Sequence, residues 1–168
     1  AVVRAKLSVA LCDVDPLSLD FDFAHLSKMV DSSVLCVLAT HLLGMGIDVP
    51  RVVELCRRQG IFVIEDVAQA FGGHCDAVPF GAIGDVSFLS FGRGKNITCG
   101  SGGAILTNND RIGEALAREY ASLPDISLVG MLKNWLEVAV TQVLIKPSLY
   151  WLPVGLPFLK LGETKFYT

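Results

Sequence analysis

The chain is punctuated by short, mostly apolar runs that each stop at polar residues: Val34 to Thr40, Ile61 to Ile64, Val86 to Ser90 and Ala104 to Leu106. The continuous apolar runs from Val34 and from Ile61 are what strands buried on both faces look like, and the other two are further strand candidates. Ser8 to Val14 also reads as strand-like, and Phe23 to Val30 has helical periodicity. A second helix is delimited by Asp48 as N-cap, Pro50 in the first turn, Val52, Val53 and Cys56 on one face and Gly60 just past the end. After Asn108, Ile112, Ala115, Leu116 and Tyr120 share one face of another helix. The order βαβαβ predicts an α/β fold with a mostly parallel sheet, and no internal repeat or low-complexity linker interrupts it.

At 168 residues the chain is one domain or part of one. Apolar residues make up 52% and charged residues 18%, which excludes intrinsic disorder. A mean hydropathy of +0.52 leaves more apolar surface than one small body hides, so the sheet is covered on both faces or the chain is a piece of something larger. A membrane span is not expected. The longest stretch without Asp, Glu, Lys or Arg, from Ser32 to Ile47, falls short of the roughly 18 residues a span needs. The apolar tail from Trp135 onward is interrupted by Glu137 and Lys146 and broken by Pro147, Pro153 and Pro157, leaving docking onto a partner or a membrane surface open. Behind Arg4 and Lys6, Leu7 to Leu11 is too short for the apolar region of a signal peptide.

A net charge of −3 with no basic run gives no reason to expect nucleic acid. Five cysteines, Cys12, Cys36, Cys56, Cys75 and Cys99, stand singly and are odd in number, which reads as reduced thiols of a cytoplasmic protein. No pair among His25, His41 and His74 has metal-ligand spacing. His74, Cys75 and Asp76 are consecutive and would alternate in direction on a strand, so no metal is expected.

In open α/β sheets chemistry gathers beyond the carboxyl ends of the strands. Three such ends carry polar groups here: Thr40-His41, Glu65-Asp66-Val67-Ala68-Gln69, and Ser90-Phe91-Gly92-Arg93-Gly94-Lys95. Each also has an ordinary structural reading, with His41 bonded to a loop carbonyl, Asp66 capping a turn and Lys95 solvated on a glycine loop. The glycines do not form a nucleotide fingerprint. Gly94-Lys95 is followed by Asn96 rather than Ser or Thr, with Leu89 where a P-loop needs its first glycine, and Gly92-x-Gly94 lacks a third glycine in register. An anion loop, a lysine and a carboxylate at separate strand ends are instead the equipment for pyridoxal phosphate (PLP). That cofactor needs an amine for a Schiff base, a carboxylate beside the pyridine nitrogen, and hydroxyls with backbone N–H groups for its phosphate.

The stretch Val63 to Asn109, VIEDVAQAFGG followed by FGAIGDVSFLSFGRGKNITCGSGGAILTNN, resembles the core of the DegT/StrS-type sugar aminotransferases, PLP enzymes of fold type I. CDVDPLSLDFD at Cys12 to Asp22 resembles that family's D-V-D-P segment and THLLGMGIDV at Thr40 to Val49 its H-L-x-G segment. The resemblance implies a three-layer αβα large domain, here incomplete, with residues 1–130 its central part and 131–168 an apolar helical tail leading toward a small domain. It implies that Lys95 forms the internal aldimine and moves the proton, that Asp66 partners the pyridine nitrogen, that Gln69 contacts the ring's 3-oxygen and that Ser90 binds phosphate. His41, Arg93 and Asn96 are candidate site-lining residues.

The activity so implied is transfer of an amino group from a donor such as glutamate to a keto group of a nucleotide-linked sugar, by a homodimer. Relatives with histidine at the lysine position resemble dehydratases; Lys95 favours amino transfer. FGRGK and LPFLKLGETKF, Leu156 to Phe166, look like a branch tied to polysaccharide or envelope biosynthesis. The departures are Ser101 where many relatives have glutamate and Val67 where many have alanine. The resemblance also sets Ala1 after the segment that supplies a phosphate loop and a ring-stacking aromatic, and Thr168 before the small domain. The alternative is a truncated or degenerate, non-catalytic relative in which no aldimine forms.

Overall fold

The computed structural model of the protein describes residue 2, residues 4–149 and residue 151. Its centre is a four-stranded sheet in the order β1-β2-β5-β6, built from β1 (Cys36–Thr40), β2 (Phe62–Asp66), β5 (Val86–Ser90) and β6 (Gly103–Leu106). β1, β2 and β5 run parallel and β6 closes the sheet antiparallel to β5. A small antiparallel hairpin of β3 (His74–Cys75) and β4 (Val78–Pro79) occupies the crossover between β2 and β5, where a helix is more usual. Among the described residues the α-helices are α1 (Phe23–Met29), α2 (Val49–Arg57), α3 (Asp110–Ala121) and α4 (Leu128–Leu144). Mostly parallel strands with helices make this a partial αβα fold.

α2 forms where the sequence signals it. Asp48 accepts from the Arg51 N–H, Pro50 sits in the first turn, and Gly60 takes the positive φ of 68° that lets the chain leave. Val49, Val52 and Cys56, at i, i+3 and i+7, are fully buried against Val37, Ala39 and Val63. Each valine removed from water contributes about 1.5–3 kcal/mol. α1 is capped by Asp22, which accepts from Ala24 and His25, and adds Leu26 to the same core.

Register decides which side chains meet this core. Ala39, Glu65 and Ser87 are side by side across the three parallel strands, as are Val37 and Val63, and all of them face the α1–α2 side. The alternate residues, Leu38, Phe62, Ile64 and Phe88 among them, face the other way and are only partly covered, Leu38 and Phe62 remaining 47% and 44% exposed.

Three expectations need correction. Ser8 to Val14 forms no strand: only Val14 makes an isolated bridge, to Phe21, and Val9 and Leu11 are exposed. A strand needs a sheet neighbour, and among the described residues no strand lies along this segment. β2 does not stop before Glu65 and Asp66 but includes both. The face of α3 that was expected to pack is largely open: Ile112 and Leu116 are half-buried, whereas Ala115 and Tyr120 are exposed.

α4 begins at Leu128, with Ser127 capping it through the Gly130 N–H, and ends before Pro147. No residue of it is buried, and Leu128, Leu132, Trp135 and Leu136 are each more than 60% exposed. Among the described residues no helix is long and apolar enough to cross a membrane. Of the expected 131–168 tail, residues 150 and 152–168, including Leu156 to Phe166, lie outside the described residues.

Candidate functional site

The parallel strands bring three polar termini to one edge of the sheet. Thr40 is in register with Asp66, and Asp66 with Phe88, so Ser90 lies one strand across and two residues further along, roughly 8 Å away by sheet spacing. Asp66, at the last position of β2, is half-buried. Its Oδ1 accepts from the Ala68 N–H at 2.9 Å, which is the turn-capping reading, and Oδ2 has no partner among the described residues. Gln69 follows in the turn and accepts from the Leu43 N–H at 3.4 Å. Ser90 ends β5, its Oγ accepting a long 3.4 Å bond from the Gly92 N–H.

Beyond Ser90 the chain makes a glycine loop. The Lys95 N–H turns back to the Gly92 carbonyl at 3.3 Å, and Gly94 takes a φ of 78°. Lys95 is half-buried, and among the described residues no carboxylate lies within ion-pair distance of its amine. α4 braces the loop from outside: Asn134 donates to the Cys99 carbonyl at 3.0 Å, and Arg93 lies 3.8 Å from Glu137. A cavity of about 170 Å³ between loop and helix, lined by Arg93, Thr98, Glu137 and Thr141 among others, includes none of Asp66, Gln69, Ser90 or Lys95.

The three candidate lining residues are all engaged. Arg93 turns to α4 as described, and Asn96 donates to the Phe71 carbonyl at 3.2 Å. His41 is wholly buried, so it lines no open surface. Nor does it bond a loop carbonyl: its Nδ1 accepts from the Ile47 N–H at 3.2 Å, which leaves the proton on Nε2, and that atom donates to Glu65 Oε2 at 3.1 Å. The ring stacks on Phe80 with centroids 4.3 Å apart.

Glu65 is the residue that sequence reading passed over. It is fully buried and accepts four hydrogen bonds, from His41 and Gly81 on Oε2 and from Ile83 and Gly84 on Oε1, the three amide contacts at 2.6–2.8 Å. Burial pushes its carboxyl upward, but the bond from His41 and the amides of Gly84, Gly81 and Ile83 outweigh it and hold the group below its ordinary value. The amides come this close because Gly81 adopts a φ of 90° against Ser87 and Val67, and because a Cβ on Gly84 would lie 2.9 Å from the Val63 carbonyl. A signal was available: two consecutive carboxylates on one strand face opposite ways, so only one of them serves an exposed edge and the other must find donors inside.

The donor types present could hold PLP: Asp66 has an oxygen without a partner among the described residues, Ser90 carries a hydroxyl at the start of a glycine turn, and Lys95 carries an amine. In comparison with known proteins, residues 1–134 match the DegT/DnrJ/EryC1/StrS aminotransferase family. The chain belongs to that family. It is 36% identical over 110 residues to the GDP-perosamine synthase of Caulobacter vibrioides, a match covering 66% of this chain and 30% of that protein.

Among solved structures, this family member superposes with a TM-score of 0.64 on the sugar aminotransferase CalS13 from Micromonospora echinospora. The two are 29% identical, over 68% of this chain and 33% of the other. The PLP form of Spr1654 from Streptococcus pneumoniae, 18% identical, shares the fold at a TM-score of 0.65 over 71% of this chain and 35% of that one. The chain spans about a third of the length of the relatives it matches.

Proposed function

We propose that this chain supplies the cofactor-binding middle of a PLP-dependent aminotransferase, which transfers an amino group from an amino acid such as glutamate to a keto group of a nucleotide-linked sugar, for polysaccharide, envelope or secondary-metabolite biosynthesis. One observation carries the reading: Asp66 and Ser90 end neighbouring parallel strands and the Lys95 loop follows directly from the second. Membership of the family and likeness to a perosamine synthase support the substrate class. The reading includes a homodimer in the cytoplasm, with residues 1–130 as the central part of the large domain and 131–168 leading out of it.

PLP supplies an electron-withdrawing ring that lets a C–H bond beside nitrogen ionise. The chain's own residues do the rest. Lys95 Nζ would be the amine that holds the cofactor and, when free, the base that moves the proton at the donor's Cα. The Asp66 carboxylate would face the ring nitrogen and favour its protonated form. Ser90 Oγ and the glycine-loop amides would hold the phosphate, and Gln69 would orient the ring at its 3-oxygen.

A second reading, a truncated or degenerate relative in which Lys95 forms no covalent bond, is favoured by the partly uncovered face of the sheet on which Leu38, Phe62 and Asp66 lie. One experiment separates the two. The purified chain is mixed with PLP, its visible spectrum recorded, and the mixture reduced with borohydride and peptide-mapped, with Lys95→Ala as control. A visible band lost in Lys95→Ala, with cofactor fixed on Lys95, establishes the enzyme reading and opens keto-sugars to screening. Absence of a band, or label spread equally over surface lysines in both proteins, leaves the non-catalytic reading.

A further inference from the structure

His41 and Glu65 have no part in the chemistry above, yet they are fully buried polar groups immediately beside it. Glu65 precedes Asp66 on β2, and His41 holds both: its Nε2 donates to Glu65 Oε2 at 3.1 Å and its backbone N–H to the Asp66 carbonyl at 3.0 Å. The segment that follows His41 is tied down as well. Ile47 donates to His41 Nδ1, and Leu43, at a φ of 54° that leucine rarely adopts, donates to Gln69. The two ring contacts, to Glu65 and from Ile47, both require the proton on His41 Nε2, and the Glu65 carboxylate is the acceptor that favours it there.

From this geometry we infer that His41 and Glu65 are positioning residues, a buried clamp that fixes the end of β2 so that the Asp66 carboxylate meets the cofactor's ring nitrogen. The inference rests on the PLP reading of the site. A glutamine at position 65 would direct its NH₂ at donors whichever way it turned, either at the Ile83 and Gly84 N–H groups or at the Gly81 N–H and His41 Nε2. In the second case His41 would have to move its proton to Nδ1 and confront the Ile47 N–H. The disturbance would then reach Asp66 through the His41 backbone without any change in Asp66 itself.

The test uses PLP titrations of the full chain, followed by absorbance, on His41→Asn, which preserves an acceptor for Ile47 but is too short for Glu65, and His41→Gln, which reaches Glu65. Both are made again in an Asp66→Ala background. The expected result is PLP binding weakened about tenfold in His41→Asn, the lower end of what losing an outer hydrogen-bonding partner costs at metal sites. Partial recovery is expected in His41→Gln, and the His41→Asn loss should shrink to below about threefold when Asp66 is already alanine.

An equal loss in both backgrounds, or none in either, overturns the clamp. Should both variants unfold, the parent chain still decides. Amide exchange at His41 and Ile47 slows when PLP is added if the clamp is coupled to the site, and unchanged exchange overturns it. A parent chain that does not take up PLP overturns the proposed function together with the clamp; a parent that binds, with His41→Asn binding equally well, overturns the clamp alone.

Discussion

The two halves of the molecule use the same apolar composition to different ends. On the β1–β2 side, α1 and α2 bury Leu26, Val49, Val52 and Cys56 against the sheet, and a carboxylate is enclosed with all its donors supplied. On the β5–β6 side, α3 and α4 contribute no buried residue, and Ile105, Leu132 and Trp135 stay more than half exposed. Burial rather than hydrophobicity separates a core from an interface. The first half encloses a core on its α1–α2 face; the second leaves its apolar side chains on the surface.

The largest effect that would sharpen this contrast is expected from Glu65→Ala. It strips a partner from His41 and three amides at once, and should lower stability by about 3–5 kcal/mol, read from the urea midpoint. Val52→Ala, which opens a cavity beneath α2, is expected to cost about 2 kcal/mol by the same measurement. A pH series supplies the next comparison. Because Glu65 is held below its ordinary value of 4.5 in the folded chain, its stabilisation is complete above that pH and is lost as pH falls through the folded value. The urea midpoint of the parent should therefore drop on acidification more steeply than that of Glu65→Gln.

Leu132→Ser on α4 should change stability by no more than about 0.5 kcal/mol. A loss above 1 kcal/mol would mean that α4 is covered in solution, and the contrast between the halves would collapse. The smallest effect concerns thiols: Cys75 and Cys99 are exposed and should alkylate first, whereas burial, and after it the charge of Asp85, raises the pKa of the enclosed Cys56, which should label only on unfolding.

What the sequence discloses follows the range over which each signal acts. α2 is legible to within two residues, starting where expected and ending at Arg57, because its cap, its first-turn proline and its following glycine are all local. β1, β5 and β6 are legible because short, mostly apolar runs that stop at polar residues require no knowledge of their neighbours. Ser8 to Val14 fails for the opposite reason, since a strand-like segment becomes a strand only if another strand lies alongside.

The placement of Asp66, Ser90 and Lys95 at strand ends follows from where the runs stop, although their roles come from family resemblance. The partners of Glu65 stand 16 to 24 residues away in the chain, at Gly81, Ile83, Gly84 and His41, so the adjacent acids show locally that one of them turns inward but not which groups satisfy it there.

Glu65 and Asp66 differ by one methylene and sit on opposite sides of a single pleat. A slip of β2 by one residue would put the shorter acid among the amides of the 81–84 turn, out of reach of His41, and would turn the longer one outward. The two acids thus favour one alignment: the longer side chain reaches His41 and the amides of Gly81, Ile83 and Gly84, and the shorter one lies on the other face. Folding into the wrong register is then penalised at the same place where it would have misdirected the chemistry.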